Sequence, residues 1–580
     1  MAPDLAPRRD LWLWLTLALG LSVRLIGLDE PLIDHQAWRQ TDTAAIARNY
    51  YEEGFDLFHP RVDWRGATAG YVETNFPLYP FLVACVYAIL GGAPEWVGRL
   101  LSALLSTLTA VPLYHLARRI YVEPVWIPRL AALLYLAMPL NVFFGRAFMP
   151  EALMLFLSAA ALLSFLRWLQ QPGPGAFILA VLTAGLCFLV KIPTLYLGFP
   201  LVALAWSRWR WQFLRQPVLW VFAALVLAPS VWWYGHAAGL FEQTGLTFGI
   251  WNRYGYDKWS HELLLSTDFY LVIGKRLVHR VFTPAGAALV VWGLVVGWPA
   301  RNRRQAHDPG HLDSPMDRRE LNQRSIEWMP WVWLGGVVLY VLVVPEGNHR
   351  LHYYQVPFVP VGALFAALPL ARLIGGSPGA VSRNTPASRS RRLAGGPLIA
   401  SLALLAVAAY SAWSASSYYS SDSDVSRYYR ICWEAGRLLD QKLPGRALLV
   451  VAEHDENTDA PYRSQSPTLL YYCHRKGWQI TLDELESDRL DSLAHLGASF
   501  FVGAAGFAMR DSSFWQDLLA RGVTFPSAYP KLWTDDAGFR LAAASHRGVD
   551  RHILLVDMRQ GPRRRPSASG HLQPEPAVPR

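Results

Sequence analysis

The sequence predicts a polytopic α-helical membrane protein that ends in a small α/β domain. Only 17% of the 580 residues are charged and 52% are hydrophobic, whereas soluble domains carry about 25% charged residues. Apolar stretches of about 17–22 residues, the length of a bilayer-crossing helix, recur from Leu11 to about Ser411. The 25 tryptophans and 25 tyrosines suit the aromatic belts that form at membrane interfaces.

The expected spans are 11–28, 96–117, 129–145, 150–167, 176–191, 193–207, 217–235, 284–300, 329–345, 353–372 and 396–413. The first run, LWLWLTLALGLSVRLIGL, is long for a signal peptide and has no A-x-A-like cleavage site after it, so it reads as a retained span. Segment 76–91 (FPLYPFLVACVYAILG) is short and begins with Pro77 and Pro80. If it lies in the interface, one side of the membrane receives Arg8 and Arg9, Arg118, Arg119 and Arg129, Arg167, and Arg208 to Arg215. The same side receives the loop Arg301 to Arg324 and the cluster Arg383 to Arg392. Basic residues favour the cytoplasmic side, so about eleven spans are expected with a cytoplasmic N-terminus. The net charge of +10 is carried by these loops, a pattern of orientation signals rather than of nucleic-acid binding.

This orientation gathers several polar segments on the extracytoplasmic side. They are the first loop 29–75, the turn GRAFMPE (145–151), Lys191, the loop 238–283, NHRLHYY (348–354), and everything after about Ser414. In that last part, ALLVVAE (447–453) and ASFFVGA (498–504) read as strands. SPTLLYYCHRKGW (466–478) and SSFWQDLLARG (512–522) read as helices, the second ended by Gly522. The expected domains are 1–415 in the membrane, a soluble α/β domain at 425–560, and a Pro-rich disordered tail at 561–580. Cys85 and Cys187 read as small core residues, and Cys432 and Cys473 could pair outside the cell.

The candidate chemistry lies in the outer segments. TDTAAIARNYYEEG reads as a short surface helix with Thr41 or Asp42 as N-cap and Gly54 as terminator. Asp34, Asp42 and Glu73 are the candidate carboxylates, and each also reads as a cap or a solvated loop acid. Arg39 and Arg48 flank the helix and suit a phosphate or lipid headgroups. Arg146 and Glu151 bracket the outer ends of two spans and could form an ion pair. Lys191 ends an apolar run just before Pro193, placed to snorkel or to meet an anion. His349, Arg350, His352, Tyr353 and Tyr354 concentrate donors at the start of a span, as an anion site or an interfacial belt would. No Cys/His spacing matches a zinc site, and no cofactor is predicted; an outer-loop acid leaves a divalent metal open.

Taken in order, these motifs resemble the GT-C class of membrane glycosyltransferases, specifically the protein-mannosyltransferase and aminoarabinose-transferase group (glycosyltransferase family 39-like). Ala47-Arg48-Asn49, Glu73 in ETNFPLYPFL, Arg146 to Glu151, Gly185-Leu186 with Lys191 and Pro193, and HRLHYYQVPFVP carry the resemblance over about residues 1–415. The group usually has Asp-Glu about nine residues before the Arg of Ala-Arg-Asn; here Arg39 stands there, with Asp34 and Asp42 on either side.

The resemblance implies an inverting transferase in a bacterial plasma membrane. It would move a sugar from a polyprenyl-phosphate donor to an extracytoplasmic glycan, lipid or protein hydroxyl. The acceptor needs a carboxylate base, for which Asp42, Asp34 and Glu73 are candidates. The leaving lipid phosphate needs fixed positive charge, for which Lys191, Arg350, His349 and Arg39 are candidates. Tyr353 and the tryptophans could stack on sugar or line a lipid groove. A transporter or flippase of lipid-linked sugars is the alternative; it would favour charges in mid-span, and here they gather at span ends. A non-enzymatic scaffold is a third reading.

Overall fold

The computed structural model describes residues 10–121, 124–251, 258–298, 326–375, 395–419, 424–452, 467–481, 484–524 and 553–559. The arginine loops 301–324 and 383–392, Arg8, Arg9 and the tail 561–580 lie outside the described residues. The chain divides into two units.

The first unit is helical. Its elements are α1 (Leu11–Arg24), α2 (Ala37–Glu53), α3 (Leu78–Leu90), α4 (Trp96–Ile120), α5 (Trp126–Ala137), α6 (Pro139–Phe144), α7 (Glu151–Gln170), α8 (Pro174–Val190), α9 (Gly198–Trp209), α10 (Pro217–Thr244), α11 (His261–Leu265), α12 (Thr267–Arg276), α13 (Pro284–Val296), α14 (Met329–Val343), α15 (Pro345–Arg350), α16 (Phe358–Gly375) and α17 (Gly396–Tyr419). Five of these, α4, α7, α10, α16 and α17, are each long and apolar enough to cross a membrane; a bent pair, Thr267–Val281 with Pro284–Val296, makes up to six. The other expected spans fall on shorter apolar helices or on pairs broken at proline, such as α5 and α6 at Pro139. α3, in the ambiguous segment 76–91, has 13 residues, about 20 Å of helix against a hydrocarbon core of about 30 Å.

α4 packs between α5 and α7, α7 packs on α8, and α8 on α10. A buried arginine fixes the start of this bundle. Arg24 donates from Nε to Ser106 Oγ (3.0 Å), and from its terminal nitrogens to the carbonyls of Gly20 (2.9 Å), Leu136 (3.2 Å) and Asn141 (3.1 Å). One guanidinium thereby joins α1, α4, α5 and α6, satisfying carbonyls that apolar side chains cannot.

The first loop folds around α2, which differs from the sequence expectation at its start. The helix begins at Ala37 after Gln36, whose backbone is left-handed (φ 60°). Thr41 and Asp42 are therefore inside the helix and buried, not capping it. The expected end at Gly54 holds, with φ 113° at the cap.

The second unit takes residues 63–69 of that loop together with the described residues from Tyr428 onward. Its sheet has the order β2-β1-β3-β5-β4. β1 (Leu448–Ala452) pairs in parallel with β2 (Lys476–Gln479) and with β3 (Ala498–Ala504). β5 (Ile553–Asp557) runs antiparallel to both β3 and β4 (Val523–Thr524). The segment 466–478 is not one helix. It is helical only over Thr468–Tyr472, turns at His474 (φ 48°), and becomes β2. Arg475 ends the helix by donating to Cys473 O (2.8 Å) and pairs with Asp440 (2.7 Å). A Cβ at Gly477 would stand 1.8 Å from Leu449 O, so only glycine lets β2 approach β1 there. Helix Ser512–Arg521 ends at Gly522. All four cysteines carry thiols, so Cys432 and Cys473 form no disulfide.

Candidate active site

The three candidate carboxylates have three different environments. Asp34 is clamped. Its Oδ2 accepts from Arg146 Nη2 (2.7 Å) and Arg99 Nη2 (3.1 Å), and its Oδ1 accepts from Gln40 Nε2 (2.5 Å). Both arginines are fully buried and also hold the carbonyl of Gly27, which takes φ +65°. Asp34 is thus the shared ion-pair partner of two buried arginines. Asp42 is buried in the middle of α2, one turn beyond Arg39.

Glu73 is buried on the loop before α3. Its carboxylate accepts from Thr247 Oγ1, and its backbone bonds to Leu246 and Phe248 at 3.0 Å each. Two cations approach this strand-like contact. Arg39 lies over the Phe248 ring at 4.8 Å. Lys258 donates to Ile250 O and interacts electrostatically with Glu73. Burial pushes the Lys258 ammonium down to about 8, against the opposing pull of Glu73.

Arg146 and Glu151 do not pair with each other, because each finds another partner. Glu151 opens α7, where a carboxylate suits the helix N-terminus. Its Oε1 meets Lys191 Nζ. Its Oε2 is buried with no hydrogen-bond partner among the described residues. Lys191 ends α8 in an extended conformation (φ −155°), two residues before Pro193. Its Nζ faces the rings of Tyr353 (5.4 Å) and Tyr354 (5.6 Å). It therefore does not snorkel into open water; it is half-enclosed by acid and aromatics.

Hydrogen bonds run between these groups. Gln40, which holds Asp34, also accepts from Phe148 N (3.0 Å) in the turn between Arg146 and Glu151. Beside Lys191, Ile192 N donates to Tyr234 Oη (3.0 Å), and Tyr234 Oη lies 3.1 Å from Asn75 Oδ1, two residues after Glu73. The structure thus brings Asp34, Arg146, Glu151, Lys191, Tyr353 and Glu73 into one connected region.

Other candidates are placed elsewhere in the unit. His349 meets Asp268 of α12 (3.1 Å). Arg350 closes α15, and Arg48 is buried within α2. His352 is half-buried against His35, ring centroids 4.6 Å apart, with Tyr418 beside both. Burial lowers both imidazoles, His35 to about 4 and His352 well below its ordinary value. Arg24, Arg99, Gln40, Tyr234 and Lys258 were not singled out from sequence. An arginine inside an apolar run was the available signal for Arg24 and Arg99.

An apolar groove is lined by Ile192, the residue after Lys191. Two cavities of about 570 and 360 Å³ share Phe188, Leu195 and Leu227. The larger reaches Ile192, Tyr234 and Trp251, and its wall includes exposed Val231; the smaller includes exposed Trp220. Among the described residues no group of three or more His, Cys, Asp or Glu side chains is arranged to hold a metal ion.

The chain has the fold of the GT-C membrane glycosyltransferases, as comparison with known proteins shows. Residues 74–234 match the family described as dolichyl-phosphate-mannose-protein mannosyltransferase. ArnT from Cupriavidus metallidurans, solved bound to undecaprenyl phosphate, is 16% identical with a TM-score of 0.55, over 94% of this chain and 98% of ArnT. The oligosaccharyltransferase AglB from Archaeoglobus fulgidus, solved with an inhibitory peptide and a dolichol-phosphate, is 14% identical with a TM-score of 0.51, over 85% of this chain and 69% of AglB. The mycobacterial arabinofuranosyltransferase AftD is 15% identical with a TM-score of 0.50, over 90% of this chain and 37% of AftD. No curated protein sequence matches the chain.

Proposed function

We propose that the protein transfers a sugar from a polyprenyl-phosphate donor to a hydroxyl of a glycan, lipid or protein, at the outer face of a bacterial inner membrane. The observation that carries this reading is the position of Lys191. It stands beside an apolar groove, ion-paired to Glu151, with the Glu73 loop one hydrogen-bonded tyrosine away. A lipid-linked sugar needs that combination: a dry channel for the tail, a cation for the phosphate, and a carboxylate for the acceptor. The likeness to ArnT and AglB, whose solved complexes hold polyprenyl-type phosphates, supports the same donor class here.

In this reading the tail lies along α8 and α10 and the phosphate meets Lys191. Glu73 takes the proton of the acceptor hydroxyl as its oxygen bonds to the anomeric carbon. The bond from that carbon to the phosphate oxygen breaks, and its electron pair leaves with the lipid phosphate, whose charge Lys191 offsets. A single displacement inverts the sugar carbon. Glu151 fixes Lys191 and offers Oε2 to a substrate hydroxyl, while Asp34 holds the Arg99–Arg146 corner. Asp42 is the second candidate base. His349, Arg350 and Arg39 belong to the outer surface that receives substrate, Arg48 is buried in α2 behind it, and Tyr353 packs against the phosphate site.

The membrane domain, residues 1–415, then has about eleven spans with a cytoplasmic N-terminus; residues 425–560 form an extracytoplasmic α/β domain. The test is binding of undecaprenyl phosphate to the purified protein in nanodiscs, alongside sugar transfer. Lys191→Ala and the groove-filling Ala238→Trp should each weaken binding and transfer together. Undiminished lipid binding in both variants would remove the groove from the account.

A further inference from the structure

Tyr234 lies on α10 and is buried at 4% exposure. Its ring lines the apolar groove beside Ile192 and packs edge-on against Trp251 at 6.0 Å. Its hydroxyl accepts from Ile192 N (3.0 Å) and can donate to Asn75 Oδ1 (3.1 Å) or to Leu189 O (3.4 Å). A phenol has one proton to give, and the shorter distance assigns it to Asn75.

The Ile192 bond has a local reason. α8 ends at Val190, and Lys191 is extended ahead of the Ile192-Pro193 step. Beyond the end of α8, the Tyr234 hydroxyl supplies the acceptor for the Ile192 N–H. On the other side, α10 already grips the Glu73 loop without Tyr234. Trp233 Nε1 donates to Thr74 O (3.1 Å), and Phe76 packs on the Trp233 ring at 5.0 Å. The Tyr234 hydroxyl is therefore not needed to dock the Glu73 loop on α10. What it adds is a direct link between that loop and Ile192, at the wall of the groove.

We infer that Tyr234 is a positioning residue that holds the Lys191–Ile192 corner in register with the Glu73–Asn75 loop and passes groove occupancy to that loop. This rests on the proposed reading of the groove as the donor-lipid site. A tail against the Tyr234 ring steadies the phenol, and the phenol fixes the spacing between the phosphate cation and the carboxylate. The residue touches neither reacting atom.

The test is amide hydrogen exchange of the full-length protein in nanodiscs, with and without undecaprenyl phosphate, for wild type, Tyr234→Phe and Asn75→Leu. Phenylalanine keeps the ring and the groove wall. Losing one buried hydrogen bond should speed exchange at residues 189–195 and 73–76 about threefold to tenfold, with α4 and α7 unchanged. Added lipid phosphate should protect both segments in wild type and only 189–195 in Tyr234→Phe. In a transfer assay kcat should fall about tenfold with the donor KM within twofold. The Asn75→Leu/Tyr234→Phe double variant should be no worse than the poorer single variant.

Unchanged exchange at both segments in Tyr234→Phe contradicts the inference, as does lipid protection of 73–76 that survives the substitution. A uniform rise in exchange across the unit makes Tyr234 a general stability residue and also contradicts it. Failure of the lipid to protect either segment in wild type rejects the donor reading of the groove, and with it the transmission of occupancy. The apo exchange then decides the Ile192–Asn75 link on its own.

Discussion

Lys191 and Glu151, 40 residues apart in the chain, meet in an ion pair at the junction of α8 and α7. The pair gathers a cation, a buried carboxylate oxygen and two tyrosine rings beside an apolar groove. It explains why a lysine can sit at the end of an apolar helix: its charge is matched before any substrate arrives.

Lys191→Met should therefore weaken binding of a polyprenyl phosphate about 10- to 100-fold, the worth of one charged hydrogen-bond donor on a phosphate. Affinity in nanodiscs at fixed ionic strength checks this. Equal affinity for wild type and variant would place the phosphate elsewhere.

Asp34→Asn should act on stability rather than on chemistry. It leaves Arg99 and Arg146 buried without their carboxylate, a loss of about 3–5 kcal/mol. The unfolding midpoint and folded yield should drop sharply, and the fraction that folds should still bind lipid phosphate. A variant of normal stability with no transfer would return Asp34 to the catalytic candidates.

The acids and bases of this site were legible in sequence as residue types, because they stand out at the ends of apolar runs and in the first polar loop. Their pairing was not. Arg146 and Glu151 are five positions apart and read as a natural pair, yet each is claimed by a residue distant in sequence, Asp34 and Lys191. Asp42 looked like a helix cap because Thr-Asp commonly precedes a helix; the left-handed Gln36 starts α2 earlier, and no pattern announced it. Apolar helices were readable from hydropathy, whereas the helices break at Pro139 and before Pro284, prolines that the span expectation ran through or stopped at. In the second unit, strands Leu448–Ala452 and Ala498–Ala504 followed the apolar runs, but β2 was hidden because Lys476 and Gly477 are poor strand formers and pairing with β1 decides the matter.

The His35–His352 contact should give the first unit an acid limit. Burial lowers both imidazoles, so the folded state holds them neutral and the unfolded state binds more protons between their folded values and about 6.5. Stability is fully present above about 6.5 and is lost as pH falls towards 4, for His35. Asp34, Arg276 and Arg280 are the charged groups that bear on the pair; the two arginines oppose a further positive charge, and Asp34 favours one on His35. Thermal unfolding from pH 7.5 to 4.5 should show a falling midpoint, with a shallower slope in His352→Phe. Parallel slopes would remove the pair as the cause.

Lys258 sets an expectation at alkaline pH. Its ammonium is pushed down to about 8, so above that pH the cation beside Glu73 is lost. Transfer should decline above about pH 8, and Lys258→Arg, which stays charged, should move the decline upward. A pH–rate profile at saturating donor reads this directly. An unchanged alkaline limb in the arginine variant would assign it to another group.

The most direct test of the account is sugar transfer by the purified full-length protein in lipid, with radiolabelled polyprenyl-phosphate sugars and an extract of envelope acceptors. Wild type is compared with Glu73→Gln and Asp42→Asn at equal folded yield, and donor binding is measured in parallel. The account predicts transfer by wild type and a loss of about a hundredfold or more in Glu73→Gln with donor still bound. Wild-type donor binding without transfer across the panel, or full activity in Glu73→Gln, would contradict it.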